Sequence, residues 1–146
     1  MNGKEIKPVS IGYWSHRVWN VHHAVLLKRV KPYGFTASEA IVFGNIARMQ
    51  PVPARDISEH LAVSAPAVAR QVDTLEKRGL VQRSGGNNDE RMRMISLTAR
   101  GEEIWPSIHE VLAQTHDDAV QGLEPQEVQS LLRALKRIRE NLESIL

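Results

Sequence analysis

Residues 64–83, SAPAVARQVDTLEKRGLVQR, constrain the fold of this chain more than any other stretch. Ser64 is a good N-cap, because its hydroxyl can accept a hydrogen bond from a backbone N–H of the first helical turn. Apolar residues then recur with the spacing of one buried helical stripe, namely Val68, Val72 and Leu75. Gly79 ends the pattern, so the stretch predicts a short helix followed by an extended segment.

The residues off this stripe suit a nucleic-acid groove. We expect small and polar side chains to face outward from the helix: Ala65, Ala67, Arg70, Gln71 and Lys77. Such a surface fits the major groove, where arginine pairs with guanine and glutamine with adenine. Arg70 and Gln71 are therefore candidates for base-edge or phosphate contacts, and a solvated helix face is the alternative for each. Ser64 is a candidate phosphate contact as well as a cap, since a helix N-terminus attracts anions.

Three helices are predicted before this one, over about residues 11–30, 36–49 and 53–61. The second opens on a T-x-x-E capping box formed by Thr36 and Glu39, and it is apolar enough to be buried in the middle. Residues 50–53 are interpreted as a connector. Because only a short turn separates the third helix from Ser64, the third and fourth helices form a helix-turn-helix pattern.

Two short strands and two long helices are predicted after it. Strands over residues 80–83 and 92–97 flank a stretch too rich in Gly and Asn for regular structure, which predicts a β-wing. Thr98 caps a long helix, in which Pro106 predicts a bend or a local break. Pro125 opens the last helix at its tolerated first position.

The first and last helices carry more apolar surface than a compact middle can cover. Their seams consist mainly of Ile11, Trp14 and Val18 in the first helix and of Leu131, Leu135, Ile138, Leu142 and Ile145 in the last. The simplest partner for both seams is a second copy of the chain, so we expect a homodimer with two-fold symmetry.

Length and composition bound the class of protein. The chain of 146 residues suits one domain with dimerisation arms, and the lack of cysteine excludes disulfides and thiolate metal sites. Without a membrane-length apolar run or a signal-peptide pattern, we expect a cytoplasmic protein and no membrane partner. Residues 64–100 carry seven basic and four acidic side chains, whereas residues 102–146 carry four and nine. This asymmetry fits a DNA-facing module with an arm that faces elsewhere, and scattered surface charge is the alternative.

Three segments carry a resemblance to a known family: LAVSAPAVARQVDTLEKRGLVQR, NNDERMRMISLTARG and LEPQEVQSLLRALKRI. From about Ile11 to the C-terminus, the chain closely resembles the MarR family of transcriptional regulators. The resemblance implies a mainly α fold with a small β-wing, in which residues 36–100 form a winged helix-turn-helix DNA-binding lobe. It implies that residues 1–35 and 101–146 supply the helices of a dimerisation domain. The two lobes would then bind adjacent grooves of a pseudo-palindromic double-stranded operator.

The resemblance also assigns DNA contacts to the wing. An Asp-x-Arg triplet there is important in such regulators, which implies that Asp89 orients Arg91 toward a phosphate or the minor groove. An arginine is favoured in a narrow groove of high negative potential. Arg83 and Arg93 are further candidate DNA contacts, and for Arg83 a pairing with Asp89 is an equal alternative. The fourth helix has alanines where the family often has hydroxyl residues. The operator sequence therefore cannot be inferred from the operators of relatives.

Two clusters outside this lobe are weighed as ligand sites, one for an effector and one for a metal ion. Tyr13, Trp14 and Arg17 are explained first by core or dimer packing, but the resemblance implies a cleft for a small aromatic or anionic effector that these residues would line. Five histidines fall on the first and fifth helices. Adjacent His22 and His23 point roughly 100° apart on a helix, so surface or interface positions are favoured, and we expect no metal and no cofactor.

These features favour one function over two others. We expect a dimeric, sequence-specific DNA-binding regulator, a repressor, that a small ligand releases from its operator. The alternative is a winged-helix module that binds protein and no longer reads an operator. An enzyme is disfavoured, because the sequence has no G-x-S-x-G elbow, phosphate-binding loop, H-E-x-x-H motif or cysteine nucleophile.

Overall fold

The computed structural model describes residues 10–85 and 93–146, which are mainly helical with a small antiparallel sheet. The described elements are α1 (Ile11–Val30), a 3-10 turn (Lys31–Tyr33), α2 (Ala37–Met49), β1 (Val52–Pro53), α3 (Ala54–Leu61), α4 (Ala65–Lys77), β2 (Val81–Ser84), β3 (Met94–Leu97), α5 (Ala99–Ala119) and α6 (Pro125–Glu143). The predicted fold class, a winged helix-turn-helix between longer helices, is confirmed.

Local side-chain caps fix where the helices begin. The Thr36 hydroxyl accepts from the Glu39 N–H at 3.1 Å, while the Glu39 carboxylate accepts from the Thr36 N–H at 3.2 Å, so the predicted capping box is present. Ser64 accepts from the Ala67 N–H at 3.3 Å, and Thr98 accepts from a first-turn N–H of α5. Each cap satisfies a donor that the first helical turn leaves without a partner.

The sheet has the order β1-β3-β2, with both pairs antiparallel. Val52 of β1 and Arg83 of β2 both pair with Ile95 in the central strand. The interpretation of residues 50–53 as a connector is therefore wrong in part, because Val52 and Pro53 form an edge strand. Proline is tolerated there, since an edge strand has an unpaired side. The predicted wing residues Asp89 and Arg91 lie outside the described residues.

The core surrounds α2, as its apolar sequence predicts. Phe43 and Ile46 are fully buried, in one cluster with apolar residues from α1, α3, α4, α5 and the sheet. The main contributors from those elements are Leu26, Val30, Ile57, Val68, Val72, Leu75, Val81, Ile95 and Ile108. The inner face of α4 is thereby fixed against the body of the protein, and its opposite face is left toward solvent.

Helix α5 runs through Pro106 without interruption, so the expected local break does not occur. Proline removes one backbone hydrogen bond from a helix interior. Apolar residues on the inner face of the next turns, Ile108 and Leu112, pack against α2 and the core. That packing holds the helix in one piece across the lost bond.

The outer helices present their predicted seams to solvent in the single chain. Val18 of α1 is 63% exposed and Ile145, beyond the end of α6, is 79% exposed. Helix α6, all of whose residues are described, buries none of its side chains. Only the C-terminal end of α1 is anchored, through Leu26 and Val30. None of the helices described is long and apolar enough to cross a membrane.

Candidate nucleic-acid interface

A tight turn sets the angle between α3 and α4. Ala62 adopts a left-handed conformation at φ 53°, which reverses the chain directly after α3. The Val63 N–H then donates to the Ser58 carbonyl at 3.1 Å, and the Ser58 hydroxyl donates to the Val63 carbonyl at 2.6 Å. A left-handed alanine costs free energy, so these reciprocal bonds indicate a turn that the surrounding structure holds in one geometry.

The outer face of α4 is narrower than the sequence predicts. Ala65, Arg70 and Lys77 are exposed, as expected. Ala67 and Gln71 are half-buried instead, because both line a cavity of about 180 Å³ between α4 and the helices behind it. The expectation that these two side chains face outward is therefore wrong in part.

This cavity is largely apolar and lies directly behind the helix. Trp19 of α1 and Ile41 of α2 form its back wall, and Leu61 and Val63 close it from the turn. The Gln71 side chain is among the polar groups that line it. Helix α4 thus packs on the core along one edge and borders a partly open cavity along the other.

The N-terminal end of α4 is open to an anion. Ser64, Ala65 and Pro66 are exposed, and the first turn carries no acidic side chain. Unpaired N–H groups and the helix dipole give such an end partial positive charge. With Arg70 one and a half turns further along, this half of the helix favours contact with a polyanion.

Arg83 is held inside the lobe rather than presented to solvent. Its guanidinium donates to Asp73 at 2.8 Å and to Glu76 at 2.9 Å, and its side chain is only 18% exposed. The contact joins β2 to α4, which was not among the predicted roles of this residue. The i, i+3 spacing of the two acids puts them on one face of α4, but it does not identify Arg83 as their partner. Arg93, just before β3, is exposed.

The predicted effector cluster lies on the exposed part of α1. Arg17 donates to the Tyr13 hydroxyl at 2.9 Å, and the Tyr13 and Trp14 rings meet edge to face at 5.5 Å. Trp14 and Arg17, but not Tyr13, line an open groove of about 500 Å³ between α1 and α5. Apolar residues of α1 form most of the groove wall, and His22 and Arg29 add polar groups.

Arg29 anchors the far end of this groove. It donates to the Thr115 hydroxyl at 3.0 Å and pairs with the Asp118 carboxylate. The hydrogen bonds from Arg29 and Gln114 lower the pKa of Asp118. Burial lowers the pKa of His22, and the neighbouring His23 and His116 lower it further. The described residues hold no group of three or more His, Cys, Asp or Glu side chains that could bind a metal ion.

A sequence profile of the MarR family matches residues 33–92, which run from the last residue of the 3-10 turn through the helix-turn-helix and past β2. The reduced form of MarR from E. coli is 26% identical, with 89% of this chain and 96% of that chain covered and a TM-score of 0.69.

Two structures of lower sequence identity share the fold. A MarR family transcriptional regulator from Listeria monocytogenes, crystallised with a 26mer DNA, is 20% identical over 91% of this chain and 89% of its own, with a TM-score of 0.83. A MarR transcriptional regulator from Methanosarcina mazei is 18% identical over 93% of this chain and 98% of its own, with a TM-score of 0.80. The helix-turn-helix of this chain thus matches the MarR family model, and the whole chain has the winged helix-turn-helix fold of MarR family transcriptional regulators.

Proposed function

We propose that this chain is a dimeric, sequence-specific DNA-binding regulator that acts as a repressor. The observation that carries the proposal is the N-terminal half of α4, which combines an exposed helix end free of acidic side chains with the exposed side chain of Arg70. Phosphates bind such helix ends, and arginine reads guanine in the major groove. The Listeria monocytogenes regulator of the same fold was crystallised with DNA, which supports the same class of partner here.

In this proposal, residues 36–100 form the DNA-binding lobe, and residues 1–35 and 101–146 form the dimer arms. Ser64, Ala65, Arg70 and the wing residues Asp89, Arg91 and Arg93 contact the operator. Ala67 and Gln71 contribute only through their exposed edges, because both are half-buried. Arg83 acts by holding the wing strand against α4, since its guanidinium is engaged by two carboxylates.

Dimerisation follows from the exposed seams of α1 and α6. A second copy that covers Trp14, Val18 and Leu135 would remove from water the apolar surface that the single chain exposes. A two-fold dimer would carry two α4 helices, and it would therefore require an operator with two related half-sites.

Release by a small ligand is the regulatory part of the proposal. The groove between α1 and α5 has apolar walls with Arg17 at its edge, which suits an aromatic or other apolar acid. Because α1 enters both the arm and the lobe, a ligand there would change the separation of the two α4 helices.

The first test is binding to a duplex from the upstream region of the protein's own gene, with a scrambled duplex as the reference, over a series of salt concentrations. A sequence-specific regulator retains a strong preference for the native duplex at physiological salt. If the native duplex is not an operator, selection from a random duplex pool supplies one. Equal, weak and steeply salt-dependent binding to all sequences would contradict the proposal and favour a winged-helix protein-interaction module.

Arg70→Ala tests the contribution of the recognition helix. We expect operator binding to weaken by about 1–3 kcal/mol, the range for loss of one good base or charged contact. Arg139→Ala is the matched control, because it removes the same charge from α6, where the side chain is exposed beside Glu143. A titration of both variants by fluorescence anisotropy measures the difference. Equal affinities in the two variants would exclude Arg70 as an operator contact.

A further inference from the structure

Arg78 follows the last residue of α4 and reaches back to the connection between α1 and α2. One terminal nitrogen of its guanidinium donates to the Gly34 carbonyl at 2.7 Å, and the other donates to the Tyr33 carbonyl at 3.1 Å. These carbonyls are 44 and 45 residues away in sequence. The contact therefore joins the end of the recognition helix to the point where the arm helix passes into the lobe.

The same guanidinium meets two further groups of that connection. Its central carbon lies 4.6 Å from the centroid of the Phe35 ring, a cation–π arrangement. Phe35 is buried against Phe43 in the core of α2. The Glu39 carboxylate lies 3.4 Å from the Arg78 guanidinium and also caps α2, so one acid joins the helix start and the arginine. Arginine suits this site because its planar fork can donate in several directions while its face stacks on a ring.

The backbone of the connection leaves room for this side chain. Gly34 adopts φ +78°, and a Cβ built at this position would lie 3.0 Å from a terminal nitrogen of Arg78. Both the left-handed backbone and the close approach favour glycine. The sequence does not predict this contact, since an arginine at a helix end is usually a solvated charge.

We propose that Arg78 is a positioning residue for DNA reading, which sets the orientation of α4 relative to α1 by fixing the end of α4 on residues 33–39. The inference rests on the proposed function. Its geometry differs from that of a DNA contact, because both terminal nitrogens are engaged inside the lobe and the side chain is 31% exposed. Loss of this contact would let α4 change its angle while its inner stripe stays buried.

The experiment compares Arg78→Gln and Glu39→Gln with the control Arg139→Gln in the full-length protein. Arg139 is exposed on α6, outside the DNA-binding lobe, so its substitution removes the same charge as Arg78→Gln without touching the proposed interface. Glu39→Gln keeps a capping-box side chain and removes the charge that faces Arg78. The probes are the operator duplex selected from a random pool and a scrambled duplex of equal length. Binding is measured well below the thermal midpoint of each variant, so a general loss of stability does not enter.

For Arg78→Gln we expect operator affinity to fall at least tenfold, with scrambled-duplex affinity and the salt dependence unchanged. Glu39→Gln should shift the operator affinity in the same direction by less. If Arg78 contacts a phosphate instead, affinity for both duplexes falls and the slope of log K against log salt decreases by about one. That result, or an unchanged operator affinity, overturns the proposal.

Hydrogen exchange provides a readout that needs no DNA. In Arg78→Gln, backbone amides of residues 33–36 and 78–80 should exchange faster than in the wild type, while those of the α4 stripe should not change. A wild-type protein that selects no operator would refute the proposed function alone, and the exchange result would still decide whether Arg78 holds α4. Unchanged exchange in both segments would refute the positioning role.

Discussion

Gly101 shows how strongly a single residue is constrained in this fold. It lies in the first turn of α5, where the helix crosses the backbone that leads into β2. A Cβ at this position would lie 2.1 Å from the carbonyl oxygen of Leu80 and 3.3 Å from the Leu97 side chain. Real structures do not tolerate such a distance, so the position requires glycine for close approach rather than for an unusual backbone angle.

Gly101→Ala should therefore destabilise the protein by about 3 kcal/mol, since α5 must move away from backbone that cannot rotate aside. Gly44→Ala is the matched control, because that helical glycine is also buried but its Cβ would meet the flexible end of Leu112 at 2.8 Å. Both variants gain the same helix propensity. Urea unfolding measures both free energies, and an equal loss in the two would show that the Leu80 carbonyl imposes no special constraint.

Residues that act through local chemistry could be predicted from the sequence. Ser64, Thr36 and Thr98 cap their helices as expected, because a cap depends only on the next three residues. Arg78 and Arg83 could not be placed in the same way. Their partners are set by how distant elements meet, which a single sequence does not specify.

At the scale of elements, helices were predicted more accurately than strands. An apolar period of 3.6 residues marks each long helix, whereas β1 has two residues and exists only because it pairs with β3. The half-buried face of α4 was missed for a related reason. The cavity behind Ala67 and Gln71 is lined by residues of α1 and α2. The apolar period of α4 alone does not indicate how closely these two helices approach it.

The packing of α1 on α5 leads to a pH dependence. The pKa of His22 is lowered from 6.5 by burial first and by His23 and His116 next. The unfolded chain therefore binds a proton at this residue more readily than the folded chain does. The contribution of His22 to stability is complete above pH 6.5, and it is lost as the pH falls through that value toward the lower folded pKa.

We expect the free energy of unfolding to decrease between pH 7.5 and 5.5, and His22→Gln to reduce this decrease. His60→Gln, at an exposed position on α3, is the control and should leave the pH dependence nearly unchanged. Guanidinium unfolding at the two pH values gives the comparison. A pH dependence that is the same in both variants would mean that His22 is not its source.

At the scale of the whole molecule, apolar surface is distributed unevenly. The lobe around α2 is closed, whereas the outer half of α1 and the whole of α6 leave large side chains in water. The sequence predicted that these seams exceed the needs of the core, because they carry more apolar side chains than one small core can bury. It could not predict how a partner would be arranged on them.

Val18→Glu and Leu135→Glu test whether a second copy covers these seams. Both side chains are exposed in the single chain, so the fold of each chain should survive, but an unpaired charge in a dimer interface costs about 3 kcal/mol. The dimer Kd should rise roughly a hundredfold. Asn20→Glu is the control, because it adds the same charge to α1 away from the seam. Analytical ultracentrifugation over a concentration series measures the Kd, and dimers of wild-type strength in both seam variants would place the interface elsewhere.

The base of the wing has a consequence for how this protein can change over evolution. The Thr98 N–H donates to the Leu80 carbonyl at 3.1 Å, and its hydroxyl donates to the Gly79 carbonyl at 2.5 Å. These bonds join the two strands at the end where they meet α4 and α5. Strand register is therefore specified at this end of the wing, next to the pairing of Val81 with Leu97. Substitutions on the outer face of α4 leave these bonds intact, so binding preference can diverge there while the scaffold is inherited unchanged.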